Sequence, residues 1–192
     1  MTFRYKRAVP SQINKALKRR EVNAAFISSV ESKHCKCTDL GIIAYEKVYS
    51  VLLLEGDHEI DPASATSNQL ARVLDLKGKV IIGDAALKHY LSGSEGIDLA
   101  EAWYKETGLP FVFARLCYNK HEEAIRKLAH TFARTKVKIP QYILKKEGQK
   151  RGITPKELTW YLSHIHYKMD HSAKKSLKLF LKKSKKVRYS RA

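Results

Sequence analysis

The chain has 192 residues, 44% of them hydrophobic, which is enough apolar material for a proper core and excludes a disordered protein. Its formal net charge of +18 and pI of about 9.8 point to a polyanionic partner or an anionic ligand. Apolar stretches such as residues 51–54 are no more than strand-sized and the basic N-terminus leads into no apolar signal core, so no membrane span is expected and a cytoplasmic location is. Three cysteines, Cys35, Cys37 and Cys117, form an odd and sparse set that fits a reducing compartment and argues against a disulfide framework.

Residues 2–9 read as a short strand, and Pro10-Ser11 opens a helix through Ile13 and Leu17 to the basic end Lys18-Arg19-Arg20. Residues 22–30 are a buried strand ending in Ser28-Ser29, small hydroxyls well placed to line a cleft or simply to be solvated. Residues 31–39 form a polar loop, whose His34, Cys35 and Cys37 lack the distant ligand pair of a zinc module. Residues 40–44 and 48–54 are apolar, β-branched strands, the second expected inside a sheet covered on both faces.

An acidic turn over 56–63 leads to a helix over 62–76, with Leu70, Val73 and Leu74 at helical spacing. Its start, Ser64-Ala65-Thr66-Ser67, is rich in hydroxyls. Unpaired N–H groups, the positive pole of the helix and several hydroxyls together suit a carboxylate or phosphate, although the same pattern also serves a plain N-cap. Residues 79–82 read as a parallel-type strand stopped by Gly83-Asp84, with a helix over 85–91; Asp84 either orients a ligand hydroxyl or caps that helix. After a turn at 92–96, a helix over 97–108 stops at Gly108, and a buried strand over 109–116 begins at a Pro.

Four helices follow, over 122–134, 140–151, 154–169 and 172–186; Thr154-Pro155-Lys156-Glu157 has the form of a capping box. From residue 134 onward only Glu147, Glu157 and Asp170 oppose the Lys and Arg, so the basic charge concentrates there, on helices that carry no nucleic-acid motif. His164 and His166, with Tyr161, read as packing or surface groups. Strands alternating with helices up to Leu116 predict an α/β protein with a largely parallel sheet and a helical C-terminal segment. The long strands 48–54 and 111–116 would be crossovers between one lobe of residues 1–54 and 111–192 and another of 55–110.

The blocks Ala25-Phe26-Ile27-Ser28-Ser29-Val30-Glu31, Ser50-Val51-Leu52-Leu53-Leu54, Ser64-Ala65-Thr66-Ser67, Ile81-Ile82-Gly83-Asp84-Ala85-Ala86-Leu87, Asp98-Leu99, Trp103 and Thr107-Gly108-Leu109-Pro110-Phe111-Val112-Phe113-Ala114 resemble the chorismate dehydratase family of the futalosine route to menaquinone, in that family's order. The resemblance implies a two-lobed fold similar to type-2 periplasmic binding proteins, working in the cytoplasm. It also implies a lyase reaction: loss of water from chorismate to give 3-[(1-carboxyvinyl)oxy]benzoate, driven by aromatisation, with chorismate as the small-molecule partner and no metal or other cofactor. Chorismate is a dianion, and hydroxyl-rich helix N-termini suit it. On this basis Ser64, Ala65, Thr66 and Ser67 are assigned to substrate binding, Ser28 and Ser29 to the facing lobe, and Asp84 to orientation of the substrate or of its own helix. No His, Glu or Cys in a matching block has the position of a general base, so a substrate carboxylate is expected to take the ring proton while the protein fixes the geometry.

The family's opening strand, of the form Val-Ser-Tyr-Leu-Asn, has no counterpart after Met1, which implies an N-terminally shortened chain with sheet edges left uncovered. The alternatives are therefore a catalytically impaired binder of a small anionic metabolite and, on the basic helices from Arg134 onward, a nucleic-acid binder.

Overall fold

The computed structural model describes residues 4–57, 59 and 61–189. Its elements in chain order are α1 (Pro10–Lys18), β1 (Ala24–Ser28), a 3-10 turn (Ser29–His34), β2 (Lys36–Ala44), β3 (Val51–Leu54), α2 (Ala65–Val73), β4 (Lys79–Ile82), α3 (Gly83–Leu91), β5 (Ile97–Asp98), α4 (Leu99–Thr107), β6 (Phe111–Tyr118), α5 (Glu122–Arg134), α6 (Gln141–Arg151), α7 (Pro155–Ser163), β7 (His166–Lys168) and α8 (His171–Tyr189).

The strands build two sheets, in the order β1-β6-β2-β7 and β4-β3-β5. Every ladder between them is antiparallel, which corrects the expected largely parallel sheet and the parallel-type reading of residues 79–82. Parallel neighbours need a crossover back into the same sheet. Here the chain changes sheets after β2, and the β3, α2, β4, α3, β5, α4 run stays with the smaller sheet before β6 returns beside β2. The fold is mixed α/β.

Several boundaries also move. Residues 4–9 are irregular rather than a strand, and residues 2 and 3 of that expected strand lie outside the described residues. The polar loop over 31–39 resolves into the 3-10 turn and the start of β2. The helix expected over 154–169 ends at Ser163, and residues 166–168 pair with β2 through Leu40 and Ile43. Its start is as expected: Thr154 and Glu157 close a capping box.

The core spans both sheets. Leu53 of β3, Leu70 of α2, Val80 of β4, Trp103 of α4, Phe111 of β6 and Phe180 of α8 form one buried cluster. Trp103 and Phe180 meet edge to face with ring centroids 5.9 Å apart, and Phe111 contacts both rings. The buried indole N–H of Trp103 donates to Ser176 Oγ at 2.9 Å, so that aromatic core contains no orphaned indole donor. Gly78 enters β4 at φ +150°, where a Cβ would stand 2.2 Å from the Leu54 carbonyl oxygen; the β3–β4 approach requires glycine there.

Antiparallel register also corrects the cysteine reading. Cys37 and Cys117 are direct partners on β2 and β6 and form a disulfide, while Cys35 is a free thiol. A sequence separation of 80 concealed the pair.

At the end of β2, the Tyr45 hydroxyl donates to Asp170 Oδ2 at 2.7 Å. Burial, reinforced by that hydrogen bond and the negative charge of Asp170, pushes the Tyr45 phenol up to about 12 from an ordinary 10.0. In the unfolded chain the phenol ionises first as pH rises. The stabilisation is therefore complete below pH 10.0 and disappears as pH climbs towards about 12. Tyr45→Phe is expected to remove one late-titrating phenol from a phenolate absorbance titration. It is also expected to flatten the fall in unfolding free energy over that interval.

Candidate functional site

The N-terminus of α2 is built by its own side chains. Ser64, in extended backbone, accepts the Ser67 N–H at 3.2 Å and donates its hydroxyl to Ser67 Oγ at 2.7 Å. The preceding loop is clamped to the same helix: Asn68 Nδ2 donates to the Asp61 carbonyl at 2.7 Å, and the Asp61 N–H donates back to Asn68 Oδ1 at 3.1 Å. Ser64, Thr66 and Ser67 are buried, and Ala65 is half-buried. The N–H groups of Ala65 and Thr66, the first two of the helix, have no intrahelical acceptor. Nor do the hydroxyl protons of Thr66 and Ser67 find an acceptor among the described residues. Donors therefore outnumber acceptors here, the condition an anion satisfies.

Facing this end is the turn that leaves β1. The Val30 N–H points at Thr66 Oγ1 from 3.5 Å, a weak contact that sets the two stretches side by side. Ser29 is fully buried and donates to the Val112 carbonyl at 2.6 Å; its own carbonyl accepts from Ser32 Oγ at 2.8 Å. Ser28 is held twice by Asn14: Asn14 Nδ2 donates to Ser28 Oγ, and the Ser28 N–H donates to Asn14 Oδ1, both at 3.0 Å. Asn14→Ala is expected to cost about 1–3 kcal/mol by stranding the buried Ser28 N–H, and to loosen the turn facing Thr66. Denaturant unfolding of the variant measures it.

Thus Ser28, Ser29, Ser64, Ala65, Thr66 and Ser67 lie on the two facing stretches. Asp84 lies apart from them, in the first turn of α3, where its 62% exposed side chain pairs with Arg151 Nε at 3.0 Å. Arg151 also grips Glu147 at 2.7 Å, so the Asp84 carboxylate ties α3 to α6. The same junction carries a cluster of Tyr49, Tyr90, Trp160 and His164, with Tyr49 at φ +62°. Beneath it Ser50 Oγ meets the Tyr161 hydroxyl at 2.9 Å, and burial pushes that phenol up.

Two residues that hold this region escape a reading by helical pattern. Asn14 occupies a buried position on α1 beside Leu17, where a polar residue signals a specific partner. Asp98 accepts four backbone N–H groups, from Val48 and Tyr49 at 2.9 and 2.7 Å and from Ala100 and Glu101 at 2.9 and 3.1 Å. Burial pushes its carboxyl above the ordinary aspartate value, and the four donors act against that rise. An Asp immediately before the apolar start of α4 was the available signal.

A family model described as menaquinone biosynthesis matches residues 66–186. The chain is 46% identical over 186 residues to the chorismate dehydratase of Campylobacter jejuni subsp. jejuni, across 94% of this chain and 83% of that protein. It is 25% identical over 232 residues to the chorismate dehydratase of Thermus thermophilus, across 93% and 85% of the two chains. The crystal structure of protein AF1704 from Archaeoglobus fulgidus superposes with a TM-score of 0.60 at 12% identity, over 95% of this chain and 84% of that one, a likeness of fold alone.

The protein is therefore a member of a menaquinone-biosynthesis family with a mixed α/β fold. Within it, the chain belongs to the chorismate dehydratases.

Proposed function

We propose that this protein dehydrates chorismate to 3-[(1-carboxyvinyl)oxy]benzoate in the futalosine route to menaquinone, in the cytoplasm. A ring proton and the ring hydroxyl leave together as water, and the cyclohexadiene becomes a benzene ring. The observation that carries the reading is the donor-rich end of α2. The N–H groups of Ala65 and Thr66 and the free hydroxyl protons of Thr66 and Ser67 stand beside the turn through Ser28 and Ser29.

In this reading α2 receives one carboxylate of the substrate dianion. Oriented donors fixed before binding need no reorganisation as charge shifts in the ring, so positioning and electrostatics carry the rate. A substrate carboxylate takes the ring proton. Asp84 acts on the substrate only through placement of α3, since its carboxylate is committed to Arg151.

The site also fits a two-lobed frame of the type-2 periplasmic-binding-protein kind, with residues 1–54 and 111–192 in one lobe and 55–110 in the other. Two observations favour it. β4 and β5 of the smaller sheet come from residues 55–110 and flank β3, the end of the first stretch, as expected of a crossover strand, and the turn after β1 faces α2. The decisive experiment is incubation with chorismate while the aromatic product is followed by absorbance. Turnover supports the enzyme reading, whereas saturable binding without product leaves a binder of anionic metabolites.

A further inference from the structure

A cavity of about 980 Å³ opens where the segment joining α5 to α6 passes over α7 and β7. Its walls are largely apolar, with Phe132, Val137, Ile139, Leu144, Leu162 and Ile165 among them. Val137 is 63% exposed and Phe132 39%, so large apolar side chains stand in water at its mouth. A ligand with an apolar body would relieve that exposure. The volume is in the range of small-molecule sites, about 300–1,000 Å³. None of the lining residues belongs to the hydroxyl group at α2.

The polar lining has a sign. Asp170 brings one negative charge to the rim, its carboxylate held by the Tyr45 hydroxyl at 2.7 Å, Ser172 Oγ at 2.8 Å and the Ala173 N–H at 2.8 Å, and two lysines outnumber it. Lys138 and Lys168, on different segments of the lining, have no ion-pair partner among the described residues. The His166 ring is fixed edge-on to Tyr45 at 4.8 Å and adds no negative charge. Two uncommitted ammonium groups beside apolar walls favour one chemistry. A wholly apolar molecule would leave the lysines unused, and a polyanion would lose water from its charges against walls that offer them no hydrogen bonds.

We propose that this cavity is a second ligand site, separate from the hydroxyl cluster, for an aromatic acid: a flat apolar body carrying one carboxylate. The test is calorimetric titration of the protein with 2-naphthoate, with 2-naphthamide as the neutral control. Saturable binding at one site is expected, weakened about tenfold or more in Val137→Glu and in the Lys138→Glu, Lys168→Glu double variant. All three positions are exposed, so circular dichroism should match the parent. Thr66→Ala should leave 2-naphthoate affinity unchanged, because that residue lies outside the cavity. Three results overturn the proposal: no saturable binding, equal affinity for the amide, or loss of binding in Thr66→Ala together with competition by chorismate. The last would put the aromatic acid at the hydroxyl cluster instead.

Discussion

Thr66→Ala and Ser67→Ala are each expected to lower chorismate turnover by about 100-fold or more, the usual cost of removing one preorganised donor from a charge-stabilising site. The cost to folding should be much smaller. Thr66 makes a single weak contact with the Val30 N–H, and Ser67 retains its backbone bond to Ser64 Oγ when its own hydroxyl is gone. Loss of the Thr66 hydroxyl should therefore take about 1 kcal/mol from the unfolding free energy, and loss of the Ser67 hydroxyl, which leaves the buried Ser64 hydroxyl without its acceptor, about 1–2 kcal/mol. Steady-state kinetics beside denaturant unfolding separates the two effects. Normal turnover in both variants would remove α2 from the substrate site. Which kinetic constant moves is also informative: a fall confined to kcat marks contacts made as the ring aromatises, and a rise confined to KM marks simple holding of the carboxylate.

The second large effect is one of stability. Asp98→Ala withdraws the acceptor from four backbone N–H groups at once, and those of Val48 and Ala100 are buried. At about 1–3 kcal/mol for each buried donor left unsatisfied, the loss should reach roughly 3–5 kcal/mol, a large fraction of the stability of a domain this size. Asp98→Asn preserves one carbonyl acceptor and should fall between the two. Thermal and denaturant unfolding of the three proteins gives the order. A loss below about 1 kcal/mol in the alanine variant would mean that other groups satisfy these donors.

Much of the local structure is legible in the residues. Pro10 at the start of α1, the capping box at Thr154 and Glu157, Gly108 in the left-handed position closing α4, and Ser64 capping α2 all act where their chemistry places them. Strand direction is less so. An apolar run such as residues 51–54 reports burial and says nothing of the direction of its neighbour, because both ladders bury the same side chains. The end of α7 was hidden for a related reason. No Gly or Pro stands between Leu162 and Met169, and residues 166–168 become a strand only because β2 presents an edge to them.

The candidate site divides in the same way. The hydroxyls of α2 and of the Ser28–Ser29 turn can be found from sequence because they sit at element boundaries, where free N–H groups belong. That Asp84 faces Arg151 rather than those hydroxyls depends on where α6 docks, a tertiary fact with no local signature. Asp98 illustrates the cost of a shifted boundary: in a helix expected from residue 97 it is a first-turn acid, whereas α4 starts at Leu99 and Asp98 caps it and staples two segments.

The strands β2 and β6 lie side by side, yet everything from Tyr45 to Pro110 is threaded out and back between them. Zipping that ladder from a disordered chain would close a very long loop before any hydrogen bond offset the lost entropy. The smaller sheet with α2, α3 and α4 can instead gather from contacts close in sequence, which brings Ala44 and Phe111 towards each other and shortens the loop that remains. The folding transition state is then expected to be polarised. Substitutions in Leu53, Leu70 and Val80 should slow refolding, while substitutions at the far end of the β2–β6 ladder should mainly hasten unfolding.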